Sequence, residues 1–176
     1  MKQLKLWFAL GAIFVSITGT LSHFLYGWTG ENFFVGLFSP VSESVWEHMK
    51  LLFFPMLLSS AALRQKWNSE FPCIASALCF GILAGTFFIP AFFYGYTAIL
   101  GKDIFFLDLV CFFLSVAVAF LAAYRLTLSC RLQGHTLPLC VAVGDPVTLF
   151  SCIYLPPSSI CCFPALTNIW KMLELE

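Results

Sequence analysis

The apolar residues of this chain gather into long runs separated by short polar connections. Five runs, at about residues 4–28, 44–63, 71–100, 104–126 and 137–155, each approach the roughly 20 residues that a bilayer-spanning helix needs at ~1.5 Å per residue. Backbone groups left unpaired against lipid are not tolerated, so each run predicts a helix. The second run is the informative one. In "SPVSESVWEHMKLLFFPMLLSSAAL", residues 39–63, the mostly apolar part begins only at Leu51 and is too short to span. The helix must therefore start near Ser44, which brings Glu47, His48 and Lys50 to membrane depth or its edge, where ionisable residues are costly and mark a site. The first run resembles a signal peptide in having Lys2 and Lys5 ahead of apolar residues. Its apolar character continues through Phe24, Leu25, Tyr26 and Trp28, too far for an h-region, and predicts an uncleaved first span.

Composition turns this pattern into a class. With 176 residues, 60% hydrophobic and 10% charged, the chain has too little polar surface to cover a soluble globule. The fold class expected is all-α: a polytopic transmembrane helix bundle of about five spans, one domain over residues 1–155 with a short tail at 156–176. No half-length inverted repeat is visible, and an odd number of spans argues against one. Nine basic and nine acidic residues cancel and are scattered, so no basic stripe exists for nucleic acid, and membrane lipid is the expected partner. Of the eight cysteines, Cys73, Cys79 and Cys111 fall inside apolar runs and read as small buried hydrophobes. Cys152, Cys161 and Cys162 cluster near the end, where a bond between two of them stays open.

Basic residues in the connections give an orientation. Lys2, Lys5, Arg64, Lys66, Arg125 and Arg131 lie on one side, six in all, while the other has Lys102 and Lys171, with Lys50 at its boundary. The expectation is a multi-pass protein of the cell membrane, N-terminus cytoplasmic and C-terminus outside. Trp28, Tyr94, Tyr96 and Tyr154 are then outer interfacial anchors, with Trp67 an inner one.

Small residues at four-residue spacing identify faces that pack in lipid. They are Gly11, Val15 and Gly19 in the first span, Ala77, Gly81 and Gly85 in the third, and Ser115, Ala119 and Ala123 in the fourth. The first span's ridge continues to His23, and the fourth span's ridge extends back to Asp108, so both predict inward-facing groups in the outer half. In the second span His48 shares a ridge with Ser44, Pro55 and Ser59, and Glu43, Glu47 and Lys50 form the neighbouring one. Ser39 as cap, Pro40 at the first helical position and Glu43 near the positive helix end give that start a local logic. Glu43 and Glu47, four residues apart, repel, and Lys50 is placed to neutralise one of them.

The ligand-binding candidates are thus His23, Glu43, Glu47, His48, Lys50 and Asp108, and His23, Glu47, His48 and Asp108 are donor types suited to zinc, iron or manganese. "EH" lacks the H-E-x-x-H spacing, and adjacent helical residues diverge by about 100°, so at most one of Glu47 and His48 points at a given centre. A structural polar network, a ligand or ion site, and a metal-assisted enzyme with zinc or iron as cofactor all stay open. His135 in the inner connection reads as a loop residue, and Asp145 before Pro146 as a partner for backbone groups that the proline frees.

The stretch "HFLYGWTGENFFVGLFSPVSESVWEHMKLLFFPMLL", residues 23–58, resembles a family of small, functionally uncharacterised bacterial integral membrane proteins. They share a first-span "HFLYEWSG" and a "GLFxPVNESVWEHxK" motif. Here Gly27 replaces the usual acidic residue and Ser42 the usual asparagine. The similarity is close over residues 20–60 and looser to about residue 126. The family's diproline is matched by Pro156 and Pro157, but its polar Asp-Pro tail is replaced by "SSICCFPALTNIWKMLELE". The resemblance implies a shared outer-half site at His23, Glu43, Glu47, His48 and Lys50, and no activity. A more distant analogy is to seven-span metal-dependent membrane amidases, whose sites combine intramembrane His, Asp, Ser and Glu; this chain has fewer spans and no paired late-helix histidines. The expected function is an outward-facing polar pocket that binds a small ligand, ion or lipid headgroup. A metal-dependent intramembrane hydrolase and a structural or assembly subunit are the alternatives.

Overall fold

The computed structural model describes residues 1–153, with side chains through residue 146. The expectations for Cys152, Tyr154, Cys161, Cys162 and the tail, including the side on which the C-terminus lies, fall outside the described residues. Within them the protein is all-helical: α1 (Lys2–Trp28), the single turn α2 (Phe33–Gly36), α3 (Val45–Trp67), α4 (Ile74–Leu100), α5 (Phe105–Ser129) and α6 (Thr136–Ile153), with a 3-10 turn at Gln133–His135. A long helix occupies each of the five apolar runs.

Three helices, α1, α4 and α5, are long and apolar enough to cross a membrane. They also carry most of the exposed large apolar side chains, among them Leu6, Phe14, Phe87, Ile99, Phe113 and Leu121. The less apolar α3 lies between α1 and α4. It packs on α1 and α4 and touches α5, and twelve of its 23 residues are buried. Its buried face, turned to the neighbouring helices, carries Glu47, Lys50, Ser59 and Ser60, while Leu58 lies on the exposed face.

The small-residue ridges pack as close contacts. A Cβ added at Gly81 would lie 2.7 Å from the Ala119 carbonyl oxygen and one at Gly85 would lie 2.6 Å from the Ala119 methyl, which joins α4 to α5 antiparallel. Likewise a Cβ at Gly19 would sit 2.6 Å from the Leu51 carbonyl oxygen. That carbonyl has no helical donor, because the residue four positions on is Pro55. Glycine in α1 thus covers, by close backbone approach, a polar group that proline uncovers in α3.

Antiparallel packing sorts the molecule into two ends. One holds the end of α1, the start of α3, the end of α4 and the start of α5. The other gathers Lys2, Lys5, Arg64, Lys66, Arg125 and Arg131, and there Cys73 is bonded to Cys130, joining the start of α4 to the end of α5 with Cα atoms 5.4 Å apart. Cys73 is therefore a covalent staple and not the simple buried hydrophobe its apolar setting predicts. Cys79 and Cys140 bring α4 and α6 together with sulfurs 3.3 Å apart, and Cys111 is a buried free thiol. Trp67, expected at the interface, instead packs in the core beside Phe71.

Candidate functional site

Between α1 and α3 the chain makes a short excursion that builds the site. Gly30 and Glu31 both take positive φ, +65° and +61°, and turn the chain out of α1. Asn32 then caps α2, its side-chain oxygen accepting from the Phe34 N–H at 2.9 Å. The next helix does not start at Ser39 and Pro40. Ser44 is its N-cap, with Oγ accepting from the Glu47 N–H at 3.3 Å, the S-x-x-E arrangement of a capping box. Glu47 reaches back past the cap, and its Oε2 accepts from the Val41 N–H at 3.1 Å. Residues 37–44 are pinned at both ends, which leaves Ser39 and Pro40 buried and Glu43 outside the helix.

Two ionic groups arise side by side. Lys50 and Glu47, three residues apart, share the inward face of α3. Lys50 is wholly buried, and its Nζ donates to Glu47 Oε2 at 2.8 Å and to the Gly36 carbonyl at 3.3 Å. The carbonyl at the end of α2 is the negative pole of that turn, so the ammonium also satisfies a helix end. Glu47 thereby serves as an ion-pair partner and a loop anchor at once.

His48 lies about 100° around the helix from Glu47 and faces α1. Its Nδ1 is 2.8 Å from the Ser44 carbonyl oxygen and donates to it, so the neutral ring presents a lone pair at Nε2. Glu43 bridges the two histidines: Oε1 is 3.8 Å from His23 Nε2 and Oε2 is 3.6 Å from His48 Nε2. The imidazoles approach with ring centroids 5.4 Å apart. His23 is held by packing against Phe24 and His48, since its Nδ1 is buried with no hydrogen-bond partner among the described residues. The two histidine side chains are 28% exposed, whereas that of Glu43 is 84% exposed.

One donor atom from each of His23, Glu43 and His48 lies within 4.8 Å of the others, and among the described residues this is the group of three that can hold a metal ion. A tetrahedral ion with bonds of about 2.1 Å spaces its ligands about 3.4 Å apart. The 3.6 and 3.8 Å contacts run to different oxygens of Glu43, and the three donors lie within 4.8 Å of one another, so ligation requires the set to draw together, with the exposed Glu43 carboxylate the part freest to move. The His48 ring is oriented as metal-binding histidines are, by a backbone carbonyl on its far nitrogen. A cavity of about 240 Å³ adjoins the group, lined by His23, Tyr26, Gly27, Pro40, Val41, Ser42 and Glu43.

The donor set differs from the expected one at two positions. Glu43 joins the histidines in place of Glu47, because Glu47 shares its helix face with Lys50. Asp108 stands apart, half-buried, and accepts a hydrogen bond from the Tyr96 hydroxyl across α4 and α5. Tyr96 is thus tied to an acid rather than serving only as an interfacial anchor. His135 is an exposed turn residue and Asp145 is exposed on α6. The sequence reading placed the helix start near Ser44 but missed the cap contact of Ser44 with Glu47, which leaves Glu43 outside the helix and lets it turn toward His48.

Helical construction with three helices fit for a bilayer places the chain among membrane proteins, with a histidine–carboxylate group at one end of the bundle. Residues 1–155 match the model of a Family of unknown function (DUF6512), and the chain belongs to that family. No curated protein and no solved structure matches the chain.

Proposed function

We propose that this is a polytopic membrane protein, of bacterial type, that binds a divalent cation of the zinc or iron class through His23, Glu43 and His48. The observation that carries the reading is the bridging of two imidazole Nε2 atoms by one carboxylate, with the His48 lone pair fixed by the Ser44 carbonyl. Two imidazoles and a carboxylate suit zinc and iron, whereas calcium and magnesium favour all-oxygen sets. The orientation proposed is N-terminus cytoplasmic with the site on the outer side, supported by the six basic residues that share the opposite end.

Purified protein in a chelator-treated maltoside detergent, dialysed against zinc, tests the reading. It is expected to retain about one equivalent of metal that His48→Ala and His23→Ala lose. Equal zinc content in the parent and both variants would overturn it.

One observation favours a second reading. Three protein donors with a cavity on the open side is the pattern of catalytic zinc sites, whereas structural sites are closed by four. Metal-dependent hydrolysis of an ester or amide at the membrane surface is the activity this arrangement fits. Chelator-sensitive release of a fluorogenic ester, lost with His48→Ala, is the measurement that checks it.

A further inference from the structure

The metal reading leaves a charge to be matched. A divalent ion held by two neutral imidazoles and one carboxylate carries a net charge of about +1 and one open position. Two of the acids at this end have other partners: Glu47 pairs with Lys50, and Asp108 accepts from Tyr96. The cavity of about 240 Å³ beside the group has room for a small headgroup and not for a folded partner. The completing ligand is therefore a monoanionic oxygen donor.

The cavity's surroundings say where that donor comes from. Its wall residues Tyr26 and Gly27 sit between Phe24 and Trp28, which stack on each other with centroids 5.9 Å apart and are both more than half exposed. In the excursion that follows α1, Phe33, Phe34 and Phe38 are also exposed. Aromatic rings gathered at one end of a membrane bundle mark headgroup depth, where rings meet the acyl boundary and their edges meet water. A phosphodiester at that depth carries one negative charge and brings its own chains to those rings.

Resting on the metal reading, we propose that the cavity beside His23, Glu43 and His48 takes the phosphodiester of a membrane lipid headgroup as the ion's exogenous oxygen ligand. The ring cluster Phe24, Trp28, Phe33, Phe34 and Phe38 seats the adjoining acyl chains.

Cobalt-loaded protein in maltoside detergent tests this, because the visible absorption of cobalt reports a change of ligand. Dihexanoyl phosphatidylglycerol is expected to shift the band saturably, at a concentration about tenfold or more below that needed with dimethyl phosphate, and dihexanoylglycerol is expected to have no effect. Trp28→Ala should raise the lipid midpoint severalfold while leaving cobalt content and the dimethyl phosphate midpoint unchanged. Equal midpoints for lipid and dimethyl phosphate would show a free-oxyanion site and overturn the lipid assignment. Cobalt bound with no shift from either phosphodiester would overturn the proposal and leave the metal reading standing. Failure to bind cobalt would remove both.

Discussion

The start of α3 carries two ionic groups that share a stretch of eight residues, from Glu43 to Lys50, and differ in almost every physical respect. The Glu47–Lys50 pair is buried, close, and saturated by the Val41 N–H and the Gly36 carbonyl. The His23–Glu43–His48 group is half-open, its contacts are long at 3.6 and 3.8 Å, and its carboxylate stands in solvent. One group ties three segments together. The other spans two helices and leaves donor atoms turned toward a shared centre. A helical rotation of about 100° between Glu47 and His48 is enough to separate scaffold from site.

The sharpest break of that comparison is Lys50→Ala. Removing one member of a buried pair strands the other charge, a loss of about 3–5 kcal/mol, and here it also orphans the Gly36 carbonyl. Folded yield and thermal midpoint in detergent should fall steeply. The double change Glu47→Gln with Lys50→Met should recover part of the loss, since no unpaired charge remains. Lys50→Ala protein that behaves like the parent would mean that the pair is not buried as described.

Next in size is the small-residue seam. Gly85→Leu forces a side chain into a gap where even a Cβ meets the Ala119 methyl at 2.6 Å and the Ser115 carbonyl at 3.1 Å. Separating α4 from α5 should lower stability by about 1–3 kcal/mol or more, well beyond the effect of Leu83→Ala on the same helix. Equal losses would place that face against lipid.

These features were not equally legible. The helices and their packing faces follow from the apolar runs and from Gly81, Gly85, Ser115, Ala119 and Ala123, because lipid imposes both length and close approach. His23, His48 and the Glu47–Lys50 relation were also readable from spacing along a helix. Glu43 was readable as a ligand candidate but not as the carboxylate between the two histidines, because its direction depends on where the helix begins, and spacing rules stop at a cap. Asp108 was misplaced for a different reason: depth and face put it in the right half of the molecule, but its partner Tyr96 comes from a neighbouring helix that periodicity alone does not identify. Cys73–Cys130 shows the same limit, as 57 residues separate two cysteines that the α4–α5 hairpin brings together.

That disulfide gives the third prediction. A loop of 57 residues corresponds to a loop-closure contribution of about 4 kcal/mol in a soluble chain. Two helices already held antiparallel by a lipid or detergent phase lose less entropy on closure, so Cys73→Ser should cost nearer 1 kcal/mol. On the proposed orientation the basic end faces the cytoplasm, and the bond would lie in a reducing compartment. Cells quenched in acid and alkylated should then show Cys73 and Cys130 as thiols, which oxidise on aerobic purification. A bond already complete in quenched cells would reverse the proposed orientation and place the His23–Glu43–His48 group inside.

The smallest expected effect on stability is the most telling for function. Glu43 is largely exposed, and neither it nor His48 closes a buried hydrogen bond that another part of the fold needs, apart from the local contact of His48 to Ser44. Glu43→Ala and His48→Ala should therefore stay within about 0.5 kcal/mol of the parent in the metal-free protein, and elute as a single species on size exclusion. The same two changes should remove the rise in thermal midpoint that zinc gives the parent, because an ion that binds only the folded state adds stability according to its concentration over its dissociation constant. Acidification should reduce that rise as well, since each histidine must be unprotonated to ligate. Collapse of both variants without metal would identify the triad as a second structural network, continuous with Glu47–Lys50, and the division between scaffold and site at the start of α3 would disappear.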